Sequence, residues 1–339
     1  MTNNSTSSAR LAPPIGGFQE IEGRHIFVHR SGSGGPAVVF LPGAGAVGLD
    51  YLGVQQEVAQ FTTAVVYDRG GTGYSDPLPL PRTAAAVATE LRELLRAQDI
   101  AAPYVLVPHS LGGFYAHRFA QLYPQDVAGL VWLDALHRDW DAFMPPAASL
   151  AAIEQMAPDR EQLEQMRPAL REMRTELLAD YPEHVRQALV EAKASDEWTR
   201  AGIAERTGLA GLATELRAGP NLPDVPVVAL SVVGTDPSQP ALTSERTVQE
   251  MNDGKRRMDA ALVSALSYGE QRVISDTSHH RLCFDRPDAV VQAVRDVVER
   301  AGLAHLAHLA HLAHLAHLAH LAHLAHLAHL AHLAHRARP

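Results

Sequence analysis

The sequence predicts an α/β domain: a mostly parallel sheet with helices on both faces, interrupted by a helical insertion. Three observations predict it. Short apolar runs alternate with segments of helical periodicity, the pattern left by strands that are buried on both faces. From about Arg138 to Leu222 the periodicity is helical throughout, with no strand pattern. One apolar run, Tyr104–Val107, passes through Pro108 and His109 to Ser110 and continues directly into a helical stretch.

The elements follow in order. Residues 1–15 are rich in Ser, Asn and Pro and are expected to be disordered. Phe18–His29 and Ala37–Leu41 read as strands, the second ending in Pro42-Gly43-Ala44-Gly45. Thr63–Tyr67 is another apolar strand, ending at Asp68-Arg69-Gly70-Gly71-Thr72-Gly73. Residues 83–98 have helical spacing, with Glu90, Arg92, Glu93 and Arg96 on the wet side. Tyr104–Val107 reads as a strand, Leu111–Leu122 as a helix and Gly129–Leu133 as a strand. Pro145-Pro146 and Gly219-Pro220 bracket the helical segment like hinges. Alternation resumes with Val225–Val233, a helix near Glu245–Leu266, a short strand at Gln271–Ile274 and a final helix at Pro287–Arg300. The expected division is a core of 16–137 and 223–301, a helical cap of 138–222 and a repeat tail of 302–339.

Composition narrows the function. The chain of 339 residues has 29 basic and 38 acidic residues, a net charge of −9. That balance argues against general nucleic-acid binding, which needs clustered Lys and Arg. Only two lysines occur, Lys193 and Lys255. The single cysteine, Cys283, excludes an intrachain disulfide and a Cys-based zinc cage. The N-terminus lacks the basic-then-apolar pattern of a signal peptide, and no run of about 18 apolar residues is present. The expectation is a cytoplasmic protein without a membrane partner.

The chemistry concentrates at Tyr104-Val-Leu-Val-Pro-His-Ser-Leu-Gly-Gly113. A strand that runs into a serine from which a helix leaves at once is a nucleophile elbow, which projects the hydroxyl at the carboxyl end of the sheet. Its pattern is G-x-S-x-G; here Pro108 replaces the first glycine and Gly112 keeps the second. Further pieces accompany it in order: Leu41-Pro-Gly-Ala-Gly45, Asp68-Arg-Gly-Gly-Thr-Gly-Tyr-Ser-Asp76, Gly129-Leu-Val-Trp-Leu-Asp134 and the stretch from Ser278-His279-His280 to Pro287. Over nearly all of 18–300 the chain resembles the α/β-hydrolase superfamily.

That resemblance implies a Ser–acid–His triad and an oxyanion hole. It points to Ser110 as nucleophile, activated by an adjacent imidazole because an unaided hydroxyl is a poor nucleophile near neutral pH. In similar chains the histidine lies seven residues before the proline of the last helix, which selects His280 over His279. The acid is expected at Asp236, after the strand 227–233, with Asp134 as the alternative that some relatives use. Backbone N–H groups of Leu111 and Ala44 are the expected oxyanion donors. The implied reaction is hydrolysis of a small carboxylic ester through an acyl-enzyme; amide, lactone or C–C cleavage and a silent ligand-binding fold are the alternatives. No cofactor or metal is implied.

Other conspicuous residues have plainer readings. Asp68 and Arg69 read as organisers of a surface turn, His109 as a side chain packed beside the elbow, and His279 as a loop side chain facing water. Cys283 reads as a buried, inert thiol, and Met156, Met166 and Met173 as inner packing of the cap. From His305 every third residue to His335 is histidine. Three residues advance about 300° round a helix, so these histidines spiral and hold no single face. The tail reads as repeat expansion, with weak divalent-metal binding as the alternative.

Overall fold

The structure, a computed structural model, describes residues 11–156, 160–235, 244–304 and residues 317, 318, 320 and 323. Contacts divide the chain into two units, 1–298 and 299–339. In the second, residues 299–304 and the four isolated tail positions are helical; the rest of the repeat lies outside the described residues. The first unit carries everything that follows.

Its strands are β1 (Gly17–Ile21), β2 (Arg24–Ser31), β3 (Val38–Leu41), β4 (Ala64–Tyr67), β5 (Tyr104–Pro108), β6 (Val127–Leu133), β7 (Val227–Val232) and β8 (Gly269–Ile274). They form one sheet in the order β1-β2-β4-β3-β5-β6-β7-β8. β1, β2 and β4 pair antiparallel, and every pair from β4 to β8 is parallel. The expected single strand over 18–29 is a hairpin. Glu22 and Gly23, both with φ near the left-handed region (49° and 75°), make the two-residue turn between β1 and β2.

The central strands are apolar from end to end because both their faces are covered. Val39, Leu41, Val65, Tyr67, Leu106, Leu130, Trp132 and Ala229 face one core. Val38, Phe40, Ala64, Val66, Val105, Val107, Val131, Leu133 and Val228 face the other. Alternate residues point to opposite faces, so each strand serves both layers. Each fully buried Val, Leu or Phe contributes about 1.5–3 kcal/mol relative to exposure.

Helices cover both layers. α1 (Leu52–Val58), unmarked in the sequence reading, packs on the second core, whereas α2 (Ala84–Ala97) and α3 (Gly112–Leu122) pack on the first. Between β6 and β7 the described residues contain helices and no strand: α4 (Trp140–Phe143), α5 (Leu150–Gln155), α6 (Arg160–Leu177), α7 (Glu183–Lys193), α8 (Asp196–Ala204) and α9 (Leu209–Arg217). α10 (Glu245–Ser264) opens on Ser244, whose hydroxyl accepts from Thr247 N–H as an N-cap. α11 (Leu282–Asp285) and a helix over 287–298 close the unit. Met156 and Met166 are exposed, so these two are not inner packing of the insertion; Met173 is half-buried. No described helix is long and apolar enough to cross a membrane.

Candidate active site

The elbow is built by close approach. β5 ends at Pro108, and α3 begins at Gly112. Ser110, between them, has φ of +51°, a left-handed conformation that costs a non-glycine residue on the order of 1–3 kcal/mol. The two glycines after it are steric necessities. A Cβ on Gly112 would lie 2.2 Å from Leu41 O, and one on Gly113 would lie 2.3 Å from Leu136 O. The departure at Pro108 has a local cost of one rung. The β5–β6 ladder reaches Leu106↔Leu130 and resumes only at a His109↔Leu133 bridge. Pro108 has no N–H to donate between them, while His109 N–H donates to Leu41 O at 3.1 Å and holds the elbow to β3.

Asp134 follows β6 immediately, also with positive φ (+43°). Its carboxylate is buried and saturated. Oδ1 accepts from Val232 N–H at 3.1 Å; Oδ2 lies 2.7 Å from His279 Nδ1 and 2.7 Å from Lys255 Nζ. Burial alone would raise this carboxyl; the Lys255 charge and then the His279 hydrogen bond outweigh it and hold it well below the usual carboxylate range. Because a carboxylate only accepts, His279 Nδ1 carries the proton and Nε2 is left as the basic nitrogen.

His279 and His280 therefore differ by position. Arg281 N–H bonds Ser278 O, closing a turn that sends His279 inward to Asp134 while His280 is exposed. The sequence spacing selected His280; the histidine in contact with Asp134 is His279, and its expected water-facing role does not hold. Asp236 lies outside the described residues. Gly234, which precedes it, is demanded by packing: a Cβ there would lie 2.0 Å from Thr277 O.

A second set of polar contacts fixes the turn after β3. Gly43 N–H donates to Tyr51 Oη at 3.2 Å, and Tyr51 Oη lies 2.8 Å from His109 Nδ1. His109 Nε2 donates to His279 O at 3.0 Å. The carbonyl can only accept, so the tautomer is set, and Tyr51 donates to Nδ1. Burial, then the neighbouring His279 and His280, push His109 down to about 3, so it stays neutral. His109 is thus a bridge between the turn and the His279 loop rather than mere packing.

Arg69 completes that frame. It is 2% exposed and donates to Pro42 O at 2.6 Å, to Gly43 O at 3.1 Å and, through Nε and Nη2, to Glu205 Oε1 at 3.0 and 2.5 Å. Glu205, just after α8, also accepts from Gly45 N–H at 2.9 Å. Asp68 is buried too, accepting from Gly48 and Tyr74 N–H at 2.6 and 2.8 Å, and burial raises it to about 7. These residues are internal scaffolding, not organisers of a surface turn. Around them, the N–H groups of His109, Gly112 and Gly113 donate to backbone carbonyls. Among the described residues, those of Leu111 and Ala44 make no protein hydrogen bond. Burial pushes the Cys283 thiol up to about 12, which leaves it un-ionised near neutral pH. Among the described residues no three His, Cys, Asp or Glu side chains converge as metal ligands.

Three residues of this arrangement gave no functional signal in sequence: Lys255, Tyr51 and Glu205. Each meets its partner across the fold, and only the rarity of lysine sets Lys255 apart.

Comparison with known proteins agrees with the architecture. A stretch of 128 residues is 30% identical to the uncharacterized protein YbdG of Bacillus subtilis, covering 37% of this chain and 39% of that protein. The chain spans well under half the length of the curated relatives it matches first. Among solved structures, an esterase from Thermogutta terrifontis superposes with a TM-score of 0.55 at 20% identity, over 84% of this chain and 97% of the other. The epoxide hydrolase CorEH superposes with a TM-score of 0.59 at 19% identity, over 84% and 98%. At these identities the likeness concerns the fold. The model of the alpha/beta hydrolase family matches residues 38–293, and the chain belongs to that family.

Proposed function

We propose that the protein is a serine hydrolase in which Ser110, His279 and Asp134 form the catalytic triad. The observation that carries this reading is the 2.7 Å contact between His279 Nδ1 and the buried Asp134 carboxylate, beside a serine held at positive φ on a strand–helix elbow. His279 Nε2 takes the Ser110 proton as Oγ attacks a carbonyl carbon. Asp134 fixes the imidazole tautomer and stabilises the imidazolium. The N–H groups of Leu111 and Ala44 receive the developing oxyanion. The imidazolium then protonates the leaving alkoxide, and water, deprotonated by His279, releases the acid from Ser110.

A carboxylic ester of a small molecule is the substrate class this set suits best. The esterase named above shares the fold, and an alkoxide leaves the tetrahedral intermediate more readily than an amine anion. The helical segment 138–222 acts as the cap over the site, a role supported by Glu205 and Arg206, which reach the turn at Ala44–Gly45. A serine at the elbow argues against the aspartate-nucleophile chemistry of epoxide opening. A fluorophosphonate probe tests the reading: the wild type labels and Ser110→Ala does not, with p-nitrophenyl acetate turnover lost in parallel. Equal labelling of Ser110→Ala contradicts it.

A further inference from the structure

The chain has two lysines, and both are buried against carboxylates. Lys193, 9% exposed, holds Asp50 at 2.6 Å, and Lys255, 9% exposed, holds Asp134 at 2.7 Å. Arginine supplies every other basic side chain. The second pair matters because of where it sits. Lys255 Nζ and His279 Nδ1 approach the same oxygen, Oδ2, each at 2.7 Å, so the two nitrogens are no more than twice that distance apart.

A triad acid ordinarily offers a full negative charge to the imidazolium that forms during catalysis. Here an ammonium already neutralises that charge in a buried setting, where charges at this separation interact strongly. We propose that Lys255 is a positioning residue that sets the working pH of the base, by sharing Asp134 Oδ2 with His279 and so destabilising the imidazolium. This rests on the reading of His279 as the base. The consequence is a triad that stays deprotonated, and active, at a lower pH than the same triad without the lysine.

The other groups facing His279 fit this account. The His109 ring, 4.7 Å away between centroids, is neutral and cannot supply a counter-charge. His280, 4.8 Å away on the same loop, adds none that is negative. On α10, Asp259 lies one turn beyond Lys255; Ser231 Oγ donates to its Oδ2 at 2.5 Å, and among the described residues its Oδ1 has no hydrogen-bond partner. Burial first, and then the Asp134 charge, raise Asp259 to about 7, so below neutrality it leaves the Lys255 charge uncompensated except by Asp134.

Three substitutions separate charge from structure. Lys255→Gln keeps a donor for Asp134 and removes the charge, Lys255→Met removes both, and Lys255→Arg keeps the charge. The titration of His279 in the full chain, followed by NMR of ¹³Cε1-labelled histidine and assigned by the peak lost in His279→Gln, should move up by about 1–2 pH units in the Gln and Met variants. The Arg variant should stay within about 0.3 units, by the same charge argument. The acidic limb of Ser110 fluorophosphonate labelling should move with it. A His279 midpoint that does not move on loss of the charge overturns the proposal, whether or not esters are hydrolysed. If the midpoint moves while the labelling limb stays fixed, Lys255 does not set the working pH, and the base assignment has failed although the charge coupling is real.

Discussion

Two of the buried cation–carboxylate pairs among the described residues, Arg69–Glu205 and Lys255–Asp134, are built differently. Arg69 meets Glu205 through two nitrogens and also binds the carbonyls of Pro42 and Gly43, so it ties the helical segment to the turn after β3. Lys255 meets Asp134 with a single ammonium that shares its oxygen with His279. A planar guanidinium has several fixed donors and locks geometry; an ammonium is a point charge. The comparison teaches that one pair sets where the polar backbone groups stand, and the other sets the charge that the imidazole experiences.

The comparison breaks most sharply at Asp134, where the charge-setting pair meets the imidazole. Asp134→Asn should lower kcat/KM on p-nitrophenyl acetate on the order of 10³–10⁴-fold, because an amide presents the wrong partner to His279 Nδ1 and leaves Lys255 without its counter-ion. A loss under about tenfold would remove Asp134 from the triad.

The locking pair should show in stability. Glu205→Ala leaves the buried Arg69 unpaired and Gly45 N–H without an acceptor. Urea denaturation should register a loss of about 3–5 kcal/mol, and kcat should fall more than KM rises because the turn loses its fixed position. Glu205→Gln keeps one acceptor oxygen, enough for Arg69 or for Gly45 N–H but not for both, and should cost less than the alanine on each measure.

The charge-setting side sharpens through Asp259. Its carboxyl is raised to about 7 in the fold, so the native state keeps a proton that the unfolded chain releases near its ordinary carboxylate value. The stability tied to that proton is full at acid pH and is lost as pH rises towards and through 7. Asp259→Asn, which does not titrate, should therefore gain on the wild type between pH 5 and pH 8 by about 2–3 kcal/mol in urea unfolding. A constant difference across that range would show that Asp259 has no raised pKa. The smallest effect belongs to His280→Ala, an exposed position: stability should change within about 0.5 kcal/mol.

The two pairs also mark how far the sequence could be read. Strands β3 to β7 were legible because burial on both faces leaves uninterrupted apolar runs, and Gly112 because an elbow leaves no room for a side chain. Local order hid the hairpin at Glu22-Gly23, whose turn is short enough to leave one continuous strand-like run. The acid was ambiguous because Asp134 and Asp236 both follow sheet strands. Spacing selected His280 over His279, but a single turn decides which of two adjacent rings faces inward, and that turn points His279 at Asp134. Asp134 lies 145 residues from His279 and 121 from Lys255, and Arg69 lies 136 from Glu205. Pairings at that separation are created by the fold and leave no periodicity in the chain.

The most direct test sets His279→Ala beside His280→Ala in the folded full chain, with kcat/KM on p-nitrophenyl acetate and the rate of Ser110 labelling read together. The account predicts a fall of at least about 10³-fold for His279→Ala and less than about threefold for His280→Ala on both measures. The reverse order, with His280→Ala silencing Ser110 and His279→Ala leaving it reactive, would contradict the triad.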